Sequence, residues 1–308
     1  MLLVRIVFII NMLCISHSCL ADFSFKKIYH TFIPPKLHQE TVYEKINPKS
    51  ASLLTVKNEC GNVTVSADKN ETLVALKVTK KSPLQERLGK LCYKQNVTGQ
   101  ELVIEHTGTD LQEYESIDFD IIVPQKLAQT VITNKGNILS KDCTTPSRLS
   151  TTHGNIEVNN ALNSVDAITH EKGVIAFINP HARVKAQTQN DNIRIFNSYH
   201  SVIAHSQNGN IQLFAKVVPS TSIIDLASGA GSVAVHLPSE VNADVYAYTE
   251  RGTITSDHMI TLKPQTTQLN RQAWRRLQKE VEGTLGSGEA QIKLSSMKSD
   301  IKLLEIKA

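Results

Sequence analysis

Aromatic side chains make up only 5% of the 308 residues, with a single Trp, and the formal net charge is a modest +4. Little is therefore available for nucleic-acid bases to stack on, and no basic cluster is interleaved with aromatics. Nucleic acid is excluded as an expected partner. Cysteine is scarce: of five, Cys14 and Cys19 lie near the start, leaving Cys60, Cys92 and Cys143 at spacings of 32 and 51. That spacing does not match a zinc motif, and no metal or other cofactor is expected. No apolar run reaches the roughly 18 residues a membrane span requires. No Gly-x-Ser-x-Gly elbow precedes a helix, since Gly229-Ala-Gly-Ser232 belongs to a repeat turn.

What the chain has is a short motif used seven times between Val131 and Ser256: apolar, x, small or apolar, x, Thr or Ser, polar residues, Gly, x, Ile or Val. Its turn positions are Gly136, Gly154, Gly173, Asp191, Gly209, Gly231 and Gly252, at spacings of 18, 19, 18, 18, 22 and 21. Apolar residues two apart before the turn, and again after it, predict two short strands per repeat joined by a tight polar turn. A unit this short cannot bury its own apolar face, so repeats must stack with strands about 4.8 Å apart. The expected fold is all-β: a single-domain β-solenoid of coils of about 18 to 22 residues with a short helical insert near its end.

Stacking turns equal motif slots into columns. The slot after the glycine becomes Asn137, Asn155, Asn192 and Asn210, with Asn62 in an earlier copy, and asparagine suits both a tight turn and a side-chain ladder. The slot three before it becomes a hydroxyl column of Thr133, Thr151, Thr169, Thr188, Ser206, Ser228 and Thr249. Placing Thr169 there requires one extra residue in its turn.

Residues 1–21 carry one positive charge, Arg5, an apolar run from Ile6 to Ile15 broken by Asn11, and Cys19-Leu-Ala21 before Asp22. This reads as a cleavable secretory signal, so the expected location is exported: periplasm, outer-membrane-associated or extracellular. Membrane contact is expected only through this segment if it is uncleaved. In an oxidising compartment Cys60 and Cys92 could pair, leaving Cys143 free. Asn62, Asn70 and Asn96 head glycosylation sequons that matter only in a eukaryotic secretory pathway.

Residues 22–50 read as an amino-terminal segment or linker, and 51–308 as the solenoid domain. Within it, 51–125 is an irregular first part, 126–260 the regular coils, 269–283 a helical insert and 284–308 the closing strands. The first part fits either about four degenerate coils or an antiparallel meander. The insert places Trp274, Leu277 and Val281 on one helical face among Arg271, Arg275, Arg276 and Lys279, as a capping helix would.

Gly61-Asn-Val-Thr-Val65 after Leu53-Leu-Thr-Val-Lys-Asn58, Phe119-Asp-Ile-Ile-Val-Pro124 leading into Gly136-Asn-Ile138, and Gly286-Ser-Gly-Glu-Ala-Gln-Ile292 with Ser299-Asp-Ile301 resemble the bacterial putative-adhesin domain family, a domain of unknown function. The resemblance spans about Ala51 to Ile306. It implies a β-solenoid attached to or exported through a bacterial membrane, with no catalytic residues to carry over.

Carboxylates were sought in the columns, because β-helical carbohydrate-active enzymes pair them on adjacent coils. Six positions before the turn the column reads Thr130, Arg148, Asp166, Lys185, Ile203, Asp225, Tyr246, which puts its two carboxylates three coils apart and alternates the sign of Arg148, Asp166 and Lys185. Asp257-His258 is the best local candidate for acid-base chemistry, with a solvated turn as the plainer reading. The expected protein is non-enzymatic, with no catalytic residues: an adhesin-like or envelope-associated binding or structural protein whose partner is an unknown protein or glycan at the cell envelope. A β-helical carbohydrate-active enzyme (polysaccharide lyase or hydrolase) and a self-associating scaffold are the alternatives. The candidate binding residues are on the polar turn edge: Lys135, His153, Lys172, Asn190, Asn208 and Arg251, with Gln189 and Gln207 beside them.

Overall fold

The computed structural model of the chain describes residues 35–108, 110–263 and 279–306. Among the described residues the protein is all-β, with one sheet of 12 strands, one of 13, and a single 3-10 turn at Gln85–Lys90. From Ala128–Lys135 to Val233–Leu237 the chain enters the two sheets alternately, and strands of successive repeats pair in parallel. The register is the one the motif demands. In the 13-stranded sheet Val131, Leu149, Ala167, Ala186, Ala204 and Leu226 lie side by side. Ile138, Ile156, Ile175, Ile193, Ile211 and Val233 do so in the other. These rows are buried and belong to one apolar cluster running from Ile46 to Leu303. Each large aliphatic side chain in it contributes about 1.5–3 kcal/mol relative to exposure. The extra residue before Gly173 appears as a register shift between Thr151 and His153 against the neighbouring strand.

The turns explain the motif. Ser206, Ser228 and Thr249 of the buried column each join their own layer to the one before it in the stack: Ser228 Oγ accepts from Gly231 N (2.8 Å) and donates to Gly209 O (2.9 Å). Thr249 does the same with Gly252 N (3.0 Å) and Ser299 O (2.9 Å). Asn58 fills this slot in the earlier copy, with its amide on Gly61 O and Ile117 O. In the next slot the asparagine oxygen accepts the backbone N–H of the following layer: Asn62 from Asn137, Asn137 from Asn155, Asn155 from Val174, Asn192 from Asn210. Val174 has no acceptor and interrupts the ladder. Glycine is needed mainly because layers approach closely: a Cβ on Gly154 or Gly173 would overlap the carbonyl oxygen of the layer before, and both sit at positive φ, 154° and 149°. Asp191 keeps negative φ in that slot and uses its carboxylate to accept Gly173 N at 2.8 Å.

A second ladder, unread in the sequence, lies six residues after each turn. Asp142, Asn160, Asn179 and Asn197 all adopt φ of 53–56° and join through side chains, Asn160 to Asp142 at 3.0 Å, Asn179 to Asn160 at 3.2 Å, Asn197 to Asn179 at 2.9 Å. Short polar side chains tolerate this left-handed backbone best after glycine.

Both ends depart from simple chain order. At the amino end the irregular part is largely antiparallel: His38–Ile46 and Ser116–Pro124 flank Val74–Ser82, and Tyr93–Thr98 pairs back on Glu101–His106. Ser116–Pro124 and Glu101–His106 nonetheless stack in parallel on Val63–Asp68 and Leu53–Cys60. At the other end Ala290–Ser296 lies between Ile223–Ser228 and Ala243–Thr249. Ser228 and Thr249 are therefore not neighbours, which corrects the chain-order hydroxyl column; Ser296 stands between them. Of the expected helix at 269–283, residues 269–278 lie outside the described residues, whereas Glu280–Leu285 is a strand, antiparallel to Ala243–Thr249. Val281 thus packs on the core from a strand, not a helix.

The Cys60–Cys92 pairing is not formed, and Cys60, Cys92 and Cys143 are free thiols. Cys92 borders Thr107 through its carbonyl, on the side of Glu101–His106 away from Leu53–Cys60. That is two strand spacings, roughly 10 Å, where a disulfide needs Cα atoms within about 6.8 Å.

The loop at the amino end is tied by a buried bidentate pair: Arg87 Nε to Glu115 Oε1 at 2.6 Å and Nη2 to Oε2 at 3.0 Å, with Ser82 Oγ and Gln112 N also donating to the carboxylate. The Arg87 hydrogen bond, reinforced by the Gln112 amide and Ser82 hydroxyl against burial, holds Glu115 at about 2.

Three outcomes follow from these contacts. Gly173→Ala is expected to cost about 2–4 kcal/mol in chemical denaturation, while Gly89→Ala, where no atom lies within 4 Å of the added Cβ, stays near neutral; equal effects would refute the close-approach account. In a chain starting at Asp22, a thiol reagent should label exposed Cys92 first, half-buried Cys60 more slowly because burial pushes its thiol up, and Cys143 only on unfolding; absence of any fast thiol would restore the disulfide. Because Glu115 is depressed in the folded state, its contribution is complete above the unfolded carboxylate value of about 4.3 and lost as pH falls toward 2. The thermal midpoint should therefore decline across that window, and Glu115→Gln should lower the midpoint at neutral pH and flatten the decline; an unchanged profile would show the pair to be idle.

Candidate functional site

The polar turn edge is assembled only in part. Lys135, His153 and Lys172 stand in register on successive strands, and His153 Nε2 meets Glu171 Oε2 at 2.8 Å. Asn208 donates to Asn190 Oδ1 at 2.9 Å, and Asn190 donates to Glu171 O at 2.8 Å. These two amides are engaged with each other and the backbone. Arg251 is set apart from the others by the intercalated strand Ala290–Ser296.

Beside this edge lies a groove that the column reading did not anticipate. It crosses five strands of the 13-stranded sheet, Val165–Lys172, Val184–Thr188, Val202–Ser206, Ile223–Ser228 and Ala290–Ser296, and holds about 710 Å³. One wall is the outward row Ile168, Gln187, His205, Ala227 and Ser295, four positions before the turn in its regular repeats. The other is the row two positions before it, in which Gln189 and Gln207 project and Gly229 leaves a gap. Between them the buried hydroxyl column forms the floor. The two rows follow from strand alternation: residues flanking an inward slot must point outward.

Among the described residues the amides of Gln187, Gln189 and Gln207 make no hydrogen bond within the protein, so each offers two donors and an acceptor to whatever enters. His170 Nε2 is held by Ser150 Oγ at 3.1 Å, and His205 Nε2 lies 3.8 Å from Asp225 Oδ2. Ala227 and Gly229 keep both walls low beside the fourth of the five strands.

Other chemistry-bearing groups do not converge there. Asp166 and Asp225 are three strands apart, about 14 Å at about 4.8 Å per strand. Arg148, Asp166 and Lys185 are adjacent as read, yet no ion pair joins them among the described residues. Asp257 and His258 sit at the carboxyl-terminal end, where Asp257 Oδ2 accepts Glu305 N at 3.4 Å and His258 is anchored to Ser256. No group of three or more His, Cys, Asp and Glu that could hold a metal occurs among the described residues.

On the opposite sheet Phe196, Phe214 and His236 stack along the layers with centroids 5.3 and 3.9 Å apart, and His181 stacks on Tyr199 at 4.4 Å under Lys216. Burial holds the His236 imidazole below its usual range, with Asp257 opposing. These rings turn their faces to one another and present edges outward, so they form no flat platform.

No helix among the described residues is long and apolar enough to cross a membrane. No family model matches the chain, and no curated protein matches it. Among solved structures it is similar to a putative adhesin from Bacteroides fragilis, at 13% identity over 86% of this chain and 97% of that one, with a TM-score of 0.49. A putative lipid binding protein from Parabacteroides distasonis is similar at 12% identity over 87% and 97%, with a TM-score of 0.36. A putative adhesin from Parabacteroides merdae is similar at 9% identity over 88% and 97%, with a TM-score of 0.36.

Proposed function

We propose that the chain is an exported, non-enzymatic β-solenoid that binds a partner at the cell envelope through its outer surface, in an adhesin-like role. The observation that carries this reading is the groove: three amides, Gln187, Gln189 and Gln207, without internal hydrogen bonds and grouped at two adjacent strands whose positions are set by buried rows beneath them. Support for export comes from the leader-like residues 1–21 and from the polar turn edges. Against the enzymatic alternative, the two carboxylates of the column read for such chemistry, Asp166 and Asp225, stand about 14 Å apart at about 4.8 Å per strand, beyond the about 5–9.5 Å used by glycosidases. Self-association through the exposed edge strand His38–Ile46 is opposed by Glu40, Glu44 and Lys45 along it, the kind of charge that guards free edges.

Binding of the purified chain to isolated bacterial envelope fractions, followed by sedimentation, tests the proposal. Saturable binding is expected, weakened about tenfold or more by Gln187→Ala with Gln207→Ala and little by Arg251→Ala. Absence of saturable binding, or indifference to the paired substitution, would overturn it; light-scattering growth with concentration would point to the scaffold instead.

A further inference from the structure

The groove narrows the class of partner, and this step rests on the binding role proposed above. We infer that it binds a linear, uncharged, polyhydroxylated chain, a neutral glycan, laid along the stacking direction across its five strands.

The first argument is charge. No Lys, Arg, Asp or Glu lines the groove, and the adjoining outward row, Asp166, Lys185, Ile203, Asp225 and Lys293, carries charges of both signs. Phosphate, sulfate and uronate groups would meet no Lys or Arg in the lining and carboxylates as well as lysines beside it, so an anionic polymer gains no net attraction there. The second is hydrogen-bond type. A side-chain amide both donates and accepts, as does a hydroxyl, so Gln187, Gln189 and Gln207 match a ligand rich in hydroxyls without requiring a fixed orientation.

The third argument is what the groove lacks for other ligands. Its large apolar side chains are Ile168 and Met297, with Ala227, Ser228, Gly229 and Ser295 nearby, too little apolar surface for an acyl chain. A peptide recognised by strand addition needs a free sheet edge, and every strand crossed here is paired on both sides. The fourth is periodicity. Strands recur at about 4.8 Å along the groove and five of them span roughly 19 Å, so an extended polymer can lie across all five, with Gln189 and Gln207 offering the same amide on neighbouring layers. Each contact is weak alone, and affinity accumulates with the number engaged.

Affinity electrophoresis of the purified chain through gels containing hydroxyethyl cellulose, a neutral linear glucan, tests this, with polygalacturonate and dextran sulfate as charged comparators. Retardation by the neutral polymer alone is expected, with Kd raised about tenfold or more in Gln187→Ala/Gln207→Ala and in Ala227→Trp, which sets an indole in the low stretch of one wall. Cello-oligosaccharides should bind more tightly with length until they cover the roughly 19 Å span, then level off. The two glutamine side chains make no internal hydrogen bond, so far-UV circular dichroism and thermal midpoint of their variant should match the parent. Retardation by the charged polymers only, or neutral binding that ignores both variants, overturns the inference. If the chain binds envelope fractions in a glutamine-dependent way while no neutral glycan competes, the ligand class is wrong and the binding role survives. Loss of envelope binding altogether removes the role itself.

Discussion

Close approach of one turn to the next governs this molecule. At Gly136, Gly154, Gly173, Gly209, Gly231 and Gly252 the carbonyl oxygen of the neighbouring layer occupies the volume a Cβ would take, which selects glycine there and sets the separation of the layers, with Asp191 as the exception. Once that spacing is set, the hydroxyl three residues earlier can reach both its own turn and the one below, and the asparagine beyond can reach upward to the next N–H. Buried polar groups are expensive unless paired, so a hydroxyl that satisfies two layers discourages any slip of register. Apolar rows supply most of the stabilisation, but such rows tolerate sliding. The turn hydrogen bonds make one alignment better than its neighbours.

The regular repeats were readable because every slot recurs often enough for a pattern to stand out. Ala167, Ala186 and Ala204 could be placed side by side from spacing alone. The second asparagine corner obeyed the same arithmetic and was missed because Asp142 and Ala215 blur its column, and left-handed backbone is invisible until φ is known. The groove was half visible: Gln189 and Gln207 stood out as polar turn residues, but Gln187 and His205 occupy a slot whose other members are Ser150, Ile168, Ala227 and Ser295, with no shared chemistry. A site defined by what its residues leave free has no compositional signature.

The ends resisted reading for a different reason. Pairing between distant segments is decided by which open edges are available, and Ala290–Ser296 is spelled like a repeat without carrying its address. The amino-terminal part likewise mixes two layers in parallel register with antiparallel strands that finish the sheets. The helical pattern over Glu280–Glu282 lost to an edge on Ala243–Thr249 that needed a partner, a case of tertiary demand overriding local propensity.

The misplaced closing strands also impose a schedule on assembly. Ile223–Ser228 and Val233–Leu237 receive their outer neighbours only from residues 290–305, while the intervening strands Ala243–Thr249 and Ile254–Ser256 dock on those latecomers and not on the growing stack. Zipping from the amino end must therefore halt with two naked edges until residues 290–305 have been synthesised and inserted.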